Sequence, residues 1–138
     1  MKQFVRQKNK CSKVEYAPGV GRKVRISGVE YIIRPSSRKN KKYSATIKSK
    51  AGRTRTVHFG HPDYQQYRDV TGLGLYSRCN HGDRERRSRY FARHEGVRKK
   101  NGSLAIDDPT SASFLSAVLL WPKESHPTVK DMGKVTSI

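Results

Sequence analysis

Seventeen lysines and arginines stand against two acids, Glu15 and Glu30, in the first 59 residues, so that segment carries a net +15 of the chain's +19. Residues 60–100 add +5 and residues 101–138 contribute −1. Like charges at this density oppose compaction unless a polyanion or an acidic protein surface neutralises them. The chain is therefore cationic at one end and nearly neutral at the other, and the basic half calls for a partner.

The 138 residues suit one domain that buries enough apolar surface to fold alone. With 33% hydrophobic residues and a mean hydropathy of −0.87, the core should recruit only part of the chain. The longest apolar stretch, residues 117–121, falls far short of the roughly 18 residues of a membrane span. The start has charge but no apolar run, so neither a secretory signal nor a span is expected. Cys11 and Cys79 lack CxxC spacing and are expected as two free thiols in a reducing compartment.

Residues 1–22 have neither helical nor strand period and read as an extended basic arm, with a reach of about 70 Å when stretched. Alternation begins at Lys23: Val24 and Ile26, then Val29, Tyr31 and Ile33, then Tyr43, Ala45 and Ile47, and lastly Thr54, Thr56 and His58. Gly28 separates the first two runs, as a hairpin or one bent strand, and Gly52 lies in a turn between the last two. Residues 61–67 read as a turn and short helix with Tyr64 and Tyr67 on one side. Asp83 offers an N-cap for a helix over 84–95, with Gly96 as its stop. Asp107 and Asp108 before Pro109 announce a second helix to about Trp121, carrying Phe114, Val118 and Trp121 on one stripe and Leu115 and Leu119 beside it. The expected fold class is α+β: a small antiparallel sheet of about four strands followed by two or three helices. The arm occupies 1–22, the domain 23–121 and a polar C-terminal tail 122–138.

The candidate contacts to a polyanion or acidic partner are Lys8, Lys10, Lys13, Arg22, Arg38, Lys39, Lys41, Lys42, Arg53, Arg55, Arg84, Arg86, Arg87 and Arg93. Lysine and arginine release counterions from nucleic acid and give affinity without sequence reading. Tyr16, Tyr31 and Tyr43 lie among these charges as a stacking surface for single strands would require. The competing reading is a solvated or protein-facing basic surface. Phe114, Leu115, Val118 and Trp121 form an apolar anchor, for the core or for another subunit, with Leu120 beside Trp121 at such an interface. Histidines 58, 61, 81 and 94 and Cys79 are ligand types without a paired metal frame, and acids are too scarce for clustered carboxylates. No catalytic residue, metal or cofactor is assigned, and a nuclease ranks last among the readings.

The run Arg53-Thr54-Arg55-Thr56-Val57-His58-Phe59-Gly60, then Asp63-Tyr64, then His81-Gly82-Asp83-Arg84-Glu85-Arg86-Arg87-Ser88-Arg89-Tyr90-Phe91 leads to Asp108-Pro109-Thr110 and Leu119-Leu120-Trp121. In this order the motifs resemble a family of small basic proteins of uncharacterised activity found in large double-stranded DNA viruses and some bacteriophages. The resemblance covers about residues 42–121, with residues 70–80 as an insertion and no counterpart for residues 1–41. It implies a viral origin and a small α+β domain, without catalytic residues. The expectation is a non-enzymatic virion component, a minor capsid or cement-type protein. It would use its basic arm on major or minor capsid subunits or on genome, in the virion and in host cytoplasm or nucleus during assembly. The alternative is a DNA-virus accessory protein that binds nucleic acid without sequence preference.

Overall fold

The computed structural model describes residues 21–48 and 51–135. The four alternating runs become β1 (Gly21–Ile26), β2 (Val29–Pro35), β3 (Tyr43–Lys48) and β4 (Thr54–Phe59). Two helices follow, α1 (Arg84–His94) and α2 (Ala112–Leu120), and a last strand, β5 (Val129–Val135), closes the order. All neighbours are antiparallel in one five-stranded sheet of order β4-β3-β2-β1-β5, so the fold is α+β. The expected arm, with Lys8, Lys10 and Lys13, lies outside the described residues apart from Gly21 and Arg22, which begin β1.

Between β1 and β2, Ser27 and Gly28 both take positive φ, 51° and 83°. That pair makes the tight two-residue hairpin whose twist matches its strands, and so excludes one bent strand. Strand side chains alternate between faces, so Val24, Ile26, Tyr31, Ile33, Tyr43, Ala45, Ile47 and Phe59 all point to one side and are buried. Leu115, Val118, Leu119 and Leu120 of α2 pack on that face, with Leu75, Tyr76 and Cys79 from the loop before α1. Each such Leu contributes about 1.5–3 kcal/mol by leaving water. Phe114, Leu115 and Val118 are thus core side chains, and Leu120, 1% exposed, is not available to a second subunit.

Residues 122–138 are not a tail throughout. Val129–Val135 pairs with β1, with a register shift between Arg22 and Val24. Residues 61–67 form turns and an isolated bridge rather than a helix, and they separate Tyr64, 60% exposed, from buried Tyr67. Backbone bonds tie this segment down instead: Arg68 N–H donates to Leu120 O (3.0 Å), Val70 N–H to Leu119 O (2.9 Å) and Gln66 N–H to Cys79 O (3.0 Å). Asp69 anchors it to the sheet, accepting from the Tyr43 hydroxyl, from Thr71 N–H (3.0 Å) and from Thr71 Oγ1 (2.6 Å). Cys79, fully buried, is disulfide-bonded, which corrects the expectation of a free thiol there.

Both helices begin on a side-chain cap. Asp83 accepts from Glu85 N–H and Arg86 N–H at the start of α1, as expected. For α2 the cap is Ser111, which accepts from Phe114 N–H (3.0 Å), rather than the acidic pair. Asp108 instead closes a turn, accepting from Thr110 N–H (2.9 Å) and Thr110 Oγ1 (2.8 Å), and these bonds with the nearby Lys99 ammonium pull its carboxyl down to about 2. No helix among the described residues is long and apolar enough to cross a membrane.

Candidate nucleic-acid interface

A cleft of about 440 Å³ opens where the β2–β3 loop, the end of β4, the segment after it, α1 and α2 meet. Gly60 and Ala112 contribute apolar surface, with buried Phe59 and Leu120 behind them. Tyr64, His94, Tyr90 and Trp121 contribute rings, and Lys41 and Arg93 contribute charge. A smaller depression of about 180 Å³ adjoins it, sharing Tyr64, Gln65, Arg93 and Trp121 and adding Arg86 and Arg89. No acidic residue lines either one.

Local structure explains why these groups converge. Gly60 ends β4 at φ 81°, and a Cβ there would lie 2.9 Å from Leu120 Cδ1 and 3.1 Å from Lys42 Cβ. Only glycine lets the chain turn this closely across α2. Arg86, Arg89 and Arg93, spaced i, i+3 and i+7, share one face of α1. Tyr90 and His94, four apart, meet with centroids 4.3 Å apart and planes tilted by 37°. Tyr90 in turn lies parallel to Trp121 at 4.3 Å and 9°, and its hydroxyl donates to Ser116 Oγ (3.2 Å). His81 covers the other end of this row of rings, 5.2 Å from Trp121. Burial, then the Arg86 charge, pushes His81 down to about 4, while burial and Arg93 lower His94, so both favour neutral imidazole.

The expected cations divide by what they already hold. Lys41, Arg86 and Arg93 surround the two depressions, together with Arg89, which the sequence reading left out of the contact set. Among the described residues Lys41, Arg89 and Arg93 make no ion pair with a carboxylate. Lys42 is different: it is 2% exposed, and its ammonium donates to Tyr64 O (2.7 Å) and to Gln66 Oε1. Burial lowers it to about 8 against the pull of Asp69, so it braces the cleft wall from inside. Arg87 is likewise engaged, donating to Pro122 O (2.6 Å) and lying 4.3 Å over the Tyr67 ring. Arg22 pairs with Asp131 at 2.7 Å. Arg38 and Lys39 are exposed on the β2–β3 loop, Arg53 and Arg55 at the β3–β4 hairpin, and Arg84 beside Arg87, away from the cleft lining.

The stacking surface expected on Tyr31 and Tyr43 is absent, because both rings point into the core at 0% exposure. Tyr31 donates to Pro109 O (2.9 Å), and burial raises its hydroxyl to about 12. Tyr16 lies outside the described residues. Tyr64 is an accessible ring, 60% exposed, and no periodic signal in residues 61–67 marks it. Among the described residues no group of three or more His, Cys, Asp or Glu could hold a metal ion.

No curated protein and no solved structure matches the chain. Residues 31–70, from β2 to the loop behind the cleft, match the model of a family of unknown function (DUF5754).

Proposed function

We propose that this chain is a non-enzymatic protein that binds nucleic acid through its phosphates, without reading sequence. The observation that carries the proposal is the convergence of Lys41, Arg86, Arg89 and Arg93 around an acid-free, ring-walled cleft. Chain segments more than 40 residues apart supply these cations, and among the described residues no carboxylate pairs with Lys41, Arg89 or Arg93. Phosphate supplies that neutralisation and releases counterions as it does so. The arginines suit it well because the planar guanidinium pairs two-pronged with phosphate oxygens. Fluorescence anisotropy of a labelled oligonucleotide across a salt series tests this. Affinity should fall linearly on a log–log plot, and Arg89→Glu with Arg93→Glu should reduce the slope by about 2, near one unit per lost phosphate contact. Binding indifferent to salt, or a double variant with unchanged slope, refutes it.

The virion-component reading is the second one, and the open edges of the sheet favour it. Among the described residues β4 and β5 each have only one neighbour, so a neighbouring subunit could add a strand at either edge. Arg55 and Lys130 on those edges would require an acidic partner strand. Mass spectrometry of purified particles decides it: a chain absent at stoichiometric level excludes a capsid or cement role.

A further inference from the structure

We infer that the cleft takes one unpaired nucleotide, which makes single-stranded DNA or RNA, and not duplex, the preferred ligand. The inference rests on the nucleic-acid reading above and adds the form of the strand. At about 440 Å³ the cleft is near the lower end of small-ligand sites, which run about 300–1,000 Å³, and suits a single base with its sugar. Its lining is graded for such a ligand. Gly60 and Ala112 offer apolar surface, Tyr64, His94 and Trp121 offer rings, and Lys41 and Arg93 offer charge for the phosphate.

Several polar groups of the lining are committed within the protein. Gln66 Nε2 donates to Tyr76 O (2.8 Å) and Asn80 Oδ1 (2.7 Å), and its Oε1 accepts from Lys42. Gln65 Oε1 accepts from Arg86 (3.0 Å), and Ser116 Oγ from Tyr90 (3.2 Å). Those groups are held away from reading a base edge, whereas every base has a face to lay on a ring. A base in a duplex keeps its faces inside the stack and cannot enter. Duplex therefore meets only the cations at the rim, and a single strand meets the rim and the cleft together.

The test uses the full chain and labelled strands of about 20 nucleotides, dT and rU, each compared with its duplex at one salt concentration. Either single strand should bind more tightly than its duplex by about 5- to 100-fold, the range that stacking of one base supplies. Tyr64→Ala and the cleft-filling Ser113→Phe should each erase most of that preference and leave duplex affinity within about 2-fold, since neither removes a rim cation. Equal or tighter duplex binding overturns the inference, as does a loss in both variants that is the same for both forms. If Arg89→Glu with Arg93→Glu still weakens both forms in those cases, the broader nucleic-acid reading survives. Absence of binding to any of the four probes removes both.

Discussion

Replacing Lys42 with Met should change how stability responds to alkali. Lys42 is 2% exposed, donates to Tyr64 O at 2.7 Å and to Gln66 Oε1, and sits 5.4 Å from the centroid of the Tyr76 ring. Burial lowers its ammonium from 10.5 to about 8, with Asp69 resisting. Between those two values the unfolded chain holds a proton that the folded chain has released, so stability from this group rises with pH across the window. At 1.36 kcal/mol per pH unit the full interval is worth about 3 kcal/mol, of which about 2 kcal/mol falls between pH 7 and 9.5. Lys42→Met removes that rise. Its value at pH 7 mixes a relieved buried charge with two carbonyls left without a donor, so the difference between the two pH profiles carries the test. Urea denaturation followed by the fluorescence of Trp121, the one tryptophan, gives both profiles, and every other titration common to the two chains cancels. The stability of wild type minus that of the variant should rise by about 2 kcal/mol from pH 7 to 9.5. Parallel profiles within about 0.5 kcal/mol would refute the burial of a charged amine at this position.

Gly60→Ala should destabilise by about 2–4 kcal/mol in urea, combining strain at φ 81° with the approach to Leu120 Cδ1. Gly52→Ala, at φ 87° with no atom within 4 Å, should cost only about 1–2 kcal/mol, and equal losses at the two sites would remove the argument for close packing at Gly60. His81 keeps its proton off down to about 4 and accepts from Asp83 N–H through Nδ1 (2.9 Å). Its contribution to stability is present above its unfolded value near 6.5 and is lost as pH falls toward 4, so His81→Asn should flatten the acid limb there. An acid limb unchanged by the substitution would place the proton uptake elsewhere.

The strands were legible in the sequence because the sheet has one covered face. The alternation of Val24, Ile26, Tyr31, Ile33, Tyr43 and Ala45 records that directly. The same alternation already argued against Tyr31 and Tyr43 as stacking rings, since a side chain that shares a face with Ile33 and Ala45 is in the core. Strand β5 was hidden by its place at an edge: Lys130, Asp131, Met132 and Lys134 are exposed, and the register shift beside it breaks the two-residue period. At α2, Asp107, Asp108, Thr110, Ser111 and Ser113 near the start could each cap, and the choice of Ser111 depends on Asp108 being held in its own turn. The cleft was partly legible. The spacing of Arg86, Arg89 and Arg93 gives one helical face, but nothing local shows that Lys41 and Tyr64 stand opposite it. Nor does charge alone distinguish Lys41, at the rim, from Lys42, whose ammonium is turned inward to two carbonyl oxygens.

The most direct test of the cleft as the binding surface is a map of amide chemical-shift changes when a single-stranded oligonucleotide is added to isotope-labelled protein. Changes should concentrate in residues 59–66, 86–94 and 112–121, which meet at the cleft, and they should shrink in the Arg89→Glu, Arg93→Glu variant. Changes confined to Lys23, Arg25, Thr46, Lys48 and Thr56, on the opposite face of the sheet, would contradict the account.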